Sequence, residues 1–198
     1  NIQNDFSSFN LKYRDSNYPV KLKAPGINNI YNSLCSAALA IIANVEIESI
    51  ISGINSFEGI ENRFRIINLK KGNVIINDTY NANPDSTVRA IEMVKEMFPE
   101  KKKIAILGSM LELGETSGLE HQAISEQIKL NNFNELFSYG NNAADYSKNL
   151  DSNTTFVALE NHSDIKKHIN LNSIDNTVIL VKGSRGMKME QIFSSLDL

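Results

Sequence analysis

The stretch "IINDTYNANPDS", residues 75–86, contains the change from strand to helix on which the fold prediction rests. Ile75 and Ile76 close an apolar run that predicts a buried strand, and Pro84-Asp85-Ser86 is typical of a helix start. A strand-to-helix connection needs only about two to six residues. This one carries a carboxylate, a phenol and two amides, from Asp78, Tyr80, Asn81 and Asn83. Such a loop indicates a surface that holds a polar ligand.

Strand and helix patterns alternate on the C-terminal side of this stretch. Strands are expected at 63–69, 74–77, 103–107, 135–139, 155–158 and 177–181, with "KKGN" (70–73) as the turn of a hairpin. Helices are expected at 86–97, 119–130, 141–148, 162–169 and 188–196. Short apolar strands separated by helices predict parallel pairing through right-handed crossovers. The expected fold class is α/β, with a Rossmann-like, mostly parallel sheet and helices on both faces.

The first quarter of the chain has a different pattern. Residues 1–24 alternate like strands, Pro25-Gly26 ends them, and helices are expected at 29–43 and 46–55. We therefore divide the chain into the tail of an upstream domain, 1–57, and an α/β domain, 58–198. The chain starts at Asn1 rather than Met, and its first strands have no helical partner. We expect it to be a fragment of a longer protein.

Composition argues against several classes of function. A net charge of −3 disfavours a nucleic-acid binder, and no apolar segment is long enough for a membrane span. Cys35 is the single cysteine, which rules out an intramolecular disulfide and favours a reducing compartment. Its small neighbours predict a packed core thiol. The three histidines show no metal-ligand spacing, so no metal site is expected (His121, His162, His168).

Three polar loops follow strands of the predicted sheet, at 78–84, 108–115 and 182–186. Each could be ordinary turn chemistry, but ligands of open parallel sheets bind outside the carboxyl ends of the strands. Three such loops at one edge favour a site. The glycine-rich phosphate-loop patterns are absent, which argues against a self-contained NTPase or NAD dehydrogenase. Arg63 could still hold a phosphate and Asp78 a ribose.

Four motifs, in order and spacing, resemble the C-terminal half of a Mur ligase. They are "GINNIYNSLCSAALA" (26–40), "NDTYNANPDS" (77–86), "ILGSMLELGETSGLEH" (106–121) and "LVKGSRGMKME" (180–190). The resemblance covers essentially the whole chain. It implies a bacterial cytoplasmic, ATP-dependent ligase that forms an amide in peptidoglycan precursor synthesis. In that chemistry ATP converts a carboxylate to an acyl phosphate, which an amine attacks, while the protein orients reactants and neutralises charge.

The resemblance also implies roles for individual residues. Asn29 and Asn32 match positions near the adenine, Arg63 matches the arginine at the ATP phosphates, and Asp78 matches the ribose carboxylate. Arg63 and Lys182 are the expected catalytic residues. The remaining matches line the amine-substrate cleft, where a cation suits a free carboxylate: Tyr80, Asn81, Asn83, Lys182, Ser184 and Arg185.

Within the family, "YNANP" and "LELG" favour UDP-N-acetylmuramoyl-tripeptide and D-Ala-D-Ala as substrates, and a monomer is the default expectation. The phosphate loop with its lysine and the Mg²⁺ ligands are expected in an upstream part. The fragment alone should therefore not catalyse. Closure of the α/β domain about a hinge near 57–62 would complete the site.

The chain departs from the family pattern at three positions. The family usually has His at Asn28, Gly at Asn62 and Asp at Ser109, whereas Arg63 and Asp78 are intact, which favours a working relative. Two alternatives stay open. One is another ligase of this superfamily, folylpolyglutamate-type or amino-acid-adding, and the other is a noncatalytic small-molecule-binding α/β domain. A G-x-x-G-K-[ST] motif upstream would separate the ligases from the binding domain.

Overall fold

The computed structural model describes residues 6–196 and 198, which divide into two compact units, one up to Ile60 and one from Glu61 onward. In the first unit, strands β1 (Ser7–Tyr13) and β2 (Ser16–Leu22) form an antiparallel ribbon. Helices α1 (Ile27–Ile42) and α2 (Ile47–Ser56) follow. The strand-like pattern predicted from residue 1 is confirmed from Ser7, and residues 1–5 lie outside the described range.

A small apolar core joins the ribbon to the two helices of the first unit. Ala37 of α1 packs in this core with Ile50 and Ile54 of α2. Cys35 is exposed, so the prediction of a packed thiol is wrong. The physical reason is helical geometry, because two residues along a helix turn a side chain by about 200°, away from the face of Ala37.

The second unit contains a six-stranded sheet in the order β3-β4-β8-β5-β6-β7. Strand β3 is antiparallel to β4, across a 3-10 helix at Lys70–Gly72, and every other pair is parallel. The mostly parallel α/β fold predicted from the sequence is therefore confirmed. The strands are β3 (Arg65–Asn68), β4 (Val74–Asp78), β5 (Lys102–Gly108), β6 (Glu135–Tyr139), β7 (Thr155–Leu159) and β8 (Thr177–Lys182).

Both faces of this sheet are covered. Helices α3 (Pro84–Met97) and α4 (Ser117–Leu130) pack on one face, where Ile76 of β4 belongs to the core. The 3-10 helix His162–Lys167 and helix α5 (Gln191–Ser195) pack on the other, where Ile75 belongs to the core. A strand with two buried faces needs apolar residues on both, which explains the continuous rather than alternating apolar runs.

Several predicted boundaries are wrong. The helices predicted at 141–148 and 162–169 are short 3-10 helices, Ala143–Ser147 and His162–Lys167. The last α-helix begins at Gln191 rather than 188, because Lys188 has a left-handed backbone with φ 49°. The strand predicted at 63–69 begins at Arg65, because Phe64 has φ 48°. None of the helices in the described part of the chain is long and apolar enough to cross a membrane.

Strand β8 lies between β4 and β5, and this order creates a crevice. The chain leaves β4 toward the face of α3, whereas it leaves β8 toward the opposite face, where α5 packs. Adjacent parallel strands whose following segments diverge leave a cleft at their carboxyl ends. Asp78 ends β4 and Lys182 ends β8, so both lie at this cleft.

Candidate functional site

An ion pair joins the carboxyl ends of β4 and β8. Asp78 and Lys182 are partners in the strand register, and Lys182 Nζ donates to Asp78 Oδ2 at 2.6 Å. The same ammonium donates to the carbonyl of Asn81 at 2.9 Å. The side chain of Lys182 is 3% exposed and that of Asp78 is 15% exposed. Since a charge this buried requires partners, the pair is part of the local fold.

The carboxylate of Asp78 is engaged through both of its oxygens. Oδ2 accepts from Lys182, and Oδ1 accepts from the backbone N–H of Phe64 at 3.0 Å. Burial raises the pKa of Asp78 above its ordinary value, because desolvation disfavours the charged form. The charges of Lys182 and Arg63 and the Phe64 N–H oppose this rise in pKa.

Residues 62–64 form a turn, called here the Arg63 turn. The backbone N–H of Tyr80 donates to Asn62 O at 2.9 Å, and Asn77 Nδ2 donates to Asn62 Oδ1 at 2.9 Å. The guanidinium of Arg63 lies 4.2 Å from the centroid of the Tyr80 ring, and both residues are exposed. Asn62 has φ 63°, a left-handed conformation that Gly and Asn adopt more readily than other residues. That conformation accounts for asparagine at a position where the resemblance predicts glycine.

The amides of the first polar loop have partners within the loop. Asn81 Oδ1 accepts from the N–H of Ala82 at 2.9 Å. Asn83 caps helix α3, because its Oδ1 accepts from the N–H of Ser86 at 2.8 Å while Ser86 Oγ accepts from the N–H of Asn83 at 3.1 Å. These two side chains therefore shape the loop itself.

The third polar loop links the other two. Ser184 is buried, and its Oγ donates to Ala82 O at 3.0 Å and accepts from the N–H of Leu111 at 2.9 Å. Arg185 is exposed, and one of its guanidinium nitrogens lies 3.3 Å from Glu190 Oε1. The structure thus brings the three predicted loops together at one edge of the sheet.

Close backbone approach supports this junction. A Cβ atom on Gly183 would lie 2.5 Å from Met189 Cγ and 3.0 Å from Gly108 Cα. Neither distance is possible for a real side chain without movement of its neighbours. The glycine of "KGSR" is therefore required by packing between the ends of β5 and β8.

Two buried residues that the sequence analysis did not assign to the site hold the second loop. His121 Nε2 accepts from the N–H of Met110 at 2.9 Å, and its Nδ1 donates to Ser117 O at 2.6 Å, so the ring is neutral. Tyr146 donates its hydroxyl to Gly108 O at 3.0 Å, and burial raises the pKa of Tyr146 well above its usual range. The available signal for His121 was its spacing of one helical turn from Ser117.

Ser109 and the remaining predicted residues are placed as follows. Ser109 is fully buried, and its Oγ accepts from the N–H of Asn142 at 3.0 Å. On α1 of the first unit, Asn29 is half-buried and donates to Pro25 O at 2.8 Å, and Asn32 is exposed. Among the residues that the structure describes, no group of three or more His, Cys, Asp or Glu side chains is arranged to hold a metal ion.

Comparisons with known proteins agree on one family. Residues 62–185, more than half of the chain, match the family model described as "Mur ligase, glutamate ligase domain". The chain is 34% identical over 195 residues, 98% of its length, to a UDP-N-acetylmuramoyl-tripeptide–D-alanyl-D-alanine ligase of Buchnera aphidicola subsp. Baizongia pistaciae. The match spans 41% of that relative.

Solved structures show the same likeness. MurF from Acinetobacter baumannii is 25% identical with a TM-score of 0.85, over 99% of this chain and 43% of that one. MurF ligase from Thermotoga maritima, solved in complex with ADP, shares the fold with a TM-score of 0.79 at 23% identity, over 98% of this chain and 44% of that one. The chain thus spans about two fifths of the length of the proteins it matches. By sequence and by fold, it belongs to the Mur ligase family.

Proposed function

We propose that this chain is the C-terminal part of an ATP-dependent ligase that joins D-Ala-D-Ala to UDP-N-acetylmuramoyl-tripeptide in peptidoglycan precursor synthesis. The observation that carries this proposal is the extent of the match to the Buchnera relative. It covers 98% of the chain, and therefore both units, rather than only the 62–185 region recognised by the family model. The proposed enzyme is a monomer of the bacterial cytoplasm, and the single cysteine fits a reducing compartment.

On the nucleotide side, Arg63 is the residue proposed to contact the ATP phosphates. Its guanidinium is exposed and planar, which suits a phosphate. ADP in the Thermotoga maritima structure supports a nucleotide as ligand. The ribose contact proposed for Asp78 would use the exposed 15% of its side chain. Asn29 and Asn32 are proposed to lie near the adenine, and the Mg²⁺ ligands to come from the longer protein.

The proposed reaction has two covalent steps. An oxygen of the tripeptide carboxylate attacks the γ-phosphorus of ATP, and the bond to ADP breaks. The amine of D-Ala-D-Ala then attacks the acyl carbon, and inorganic phosphate leaves with its bonding electrons while the amine loses a proton. The protein contributes orientation and neutralisation of negative charge, and Arg63 supplies one positive charge for that purpose.

On the dipeptide side, the geometry favours Arg185 over Lys182 as the partner of the free carboxylate. Lys182 is 3% exposed and already bonded to Asp78 and Asn81, whereas the side chain of Arg185 is 64% exposed. We assign Lys182 and Ser184 to holding the three loops together. Tyr80, Asn81 and Asn83 are proposed to form the wall that receives the dipeptide.

The test is phosphate release by the longer protein that contains this chain, with ATP, Mg²⁺ and UDP-N-acetylmuramoyl-tripeptide. We expect release to depend on D-Ala-D-Ala and to yield the pentapeptide product. Release that depends on glutamate or L-alanine would support another ligase of the superfamily, and no amine-dependent release would support the binding-domain alternative.

The assignment of Arg185 is tested in the same assay. Removing a charge-assisted contact should raise the KM for D-Ala-D-Ala in R185A by about 10-fold or more, with the KM for ATP unchanged. Lys188→Gln, which removes an exposed cation three residues away, is the matched control. An unchanged dipeptide KM in R185A would contradict the assignment.

A further inference from the structure

One residue of the Arg63 turn, Phe64, has a backbone conformation that its side chain disfavours. Asn62 has φ 63° and Phe64 has φ 48°, so Arg63 is flanked by two left-handed residues. Asparagine tolerates this region, but a bulky residue such as phenylalanine rarely adopts it. A turn of this kind persists only where contacts from the surrounding structure determine it.

Those contacts come from the end of β4 and the residues that follow it. Asn77 and the Tyr80 backbone bond to Asn62, the Asp78 carboxylate accepts from the N–H of Phe64, and the Tyr80 ring lies under Arg63. Asp78 is the member of this set that is also tied across the sheet, through Lys182 of β8. The conformation at Phe64 is thereby linked to a buried ammonium 104 residues away from Asp78 in the chain.

We propose that Asp78 is a positioning residue for Arg63. One carboxylate oxygen holds the left-handed Phe64 through its N–H, and the other is held by Lys182, so the guanidinium is presented from a rigid support rather than from a free turn. This inference rests on the proposed contact between Arg63 and the ATP phosphates. It assigns Asp78 a role that does not require contact with the ribose.

The arrangement requires a charged acceptor with two separately used oxygens. Hydrogen bonds to charged groups are stronger than those between neutral groups, and the Lys182 ammonium is itself fixed by the carbonyl of Asn81. An asparagine at 78 could keep an acceptor for Phe64, but it would place either an amide nitrogen or a weaker acceptor against the ammonium. The substitution D78N therefore keeps the shape of the side chain at position 78 and removes its charge.

The first experiment measures the turn directly, by NMR on the 198-residue chain. In D78A, the amide proton of Phe64 should exchange roughly 10-fold to 100-fold faster, and the Arg63 side-chain shifts caused by the Tyr80 ring should shrink. In D78N the same changes should be several-fold and smaller, which also provides a readout if D78A does not fold. E61Q is the matched control, because Glu61 is exposed and lies 4.0 Å from Arg65. It should leave both signals unchanged.

The second experiment uses the longer ligase and a double-mutant cycle. We expect kcat/KM for ATP to fall about 10-fold or more in R63A and about 10-fold in D78N, and the double variant to match R63A within about twofold. The D78N loss should persist with 2′,3′-dideoxy-ATP, which has no ribose hydroxyls for Asp78 to bind.

The outcomes separate this inference from the proposed function. Additive losses, a D78N loss that disappears with dideoxy-ATP, or unchanged Phe64 exchange in D78N would overturn the positioning role. Full activity with ATP in R63A would instead overturn the proposed contact between Arg63 and the phosphates. In that case the NMR experiment still decides whether Asp78 holds the turn.

Discussion

Two loops at the same edge of the sheet are held by different kinds of interaction. After β4, the loop depends on charges, since Asp78 pairs with Lys182 and Arg63 stacks on Tyr80. After β5, the loop depends on neutral buried groups, since His121 accepts from the N–H of Met110 and Tyr146 donates to Gly108 O. Tyr80 of the first loop and its partner Arg63 are exposed, whereas the second loop buries Met110 and leaves Leu111, Glu112 and Glu115 exposed.

This difference predicts how each loop responds to pH, salt and substitution. The desolvation cost of a buried charge is offset only where the charge has a partner. The charged loop is therefore sensitive to pH and to loss of either partner. Hydrogen bonds between neutral buried groups depend little on salt. The exposed Arg63 and Tyr80 support our proposal that the loop after β4 contacts substrates.

The largest expected effect comes from breaking the ion pair of the charged loop. K182M leaves the Asp78 carboxylate largely buried without its cation, and the free energy of unfolding should fall by about 3 kcal/mol near pH 7. Urea unfolding measures it, and K188M, at an exposed lysine, should change little.

The same variant should show a diagnostic pH dependence. Burial raises the folded-state pKa of Asp78, so stability falls as pH rises from the unfolded pKa to the folded pKa. Loss of Lys182 raises the folded pKa further and widens that window. The loss in K182M should therefore be smaller near pH 4 than near pH 7. Equal losses at both pH values would contradict a charge-dependent loop.

The second-largest effect is expected at Gly183, in the loop that links the other two. In G183A the new Cβ would lie 2.5 Å from Met189 Cγ and 3.0 Å from Gly108 Cα, so we expect a loss of about 1–3 kcal/mol from overpacking. Thermal unfolding with matched denaturant titration measures it. G118A is the control, because its nearest neighbour would be Asp145 Oδ2 at an ordinary 3.7 Å. A tolerated G183A would show that the junction is looser than the distances indicate.

Breaking a hydrogen bond of the neutral loop should cost less stability than breaking the ion pair. The cost should not depend on the charge of Asp78. H121L removes the acceptor of the Met110 N–H and should cost about 1–3 kcal/mol, because a buried donor is left unpaired. The same substitution at the half-buried neighbour, Q122L, should cost less than about 0.5 kcal/mol. If the loss in H121L depended on whether Asp78 was charged or neutral, the two loops would not be independent.

The smallest effect is expected at the exposed aromatic of the charged loop. Y80L removes the ring under Arg63, and exposed cation–π contacts contribute only about 0.5–1 kcal/mol. Y80F retains the ring and should retain both stability and the ring-shifted Arg63 signals in NMR spectra. Equal Arg63 signals in Y80L and Y80F would show that the stacked position is not populated.

Local patterns in the sequence were sufficient for the elements and for the region of the site. The apolar run ending in Ile75-Ile76 predicted β4, and "NPDS" predicted the start of α3, which begins at Pro84 under an Asn83 cap. These signals come from residues within one or two turns of each other, so spacing alone conveys them. The motif resemblance then directed attention to the loops after β4, β5 and β8, which the structure brings together.

The partners of the site residues could not be obtained in that way. Lys182 was expected to face a substrate, yet its burial and its bond to Asp78 follow from β8 pairing with β4 across 104 residues of sequence. The left-handed Phe64 and the acceptor role of His121 likewise depend on contacts with other elements. By itself the sequence determined the strands, the longer helices and the polar character of the edge, because those properties are local. Only the tertiary structure decided which charges are paired and which stay exposed, because pairing depends on the strand order and register between distant segments.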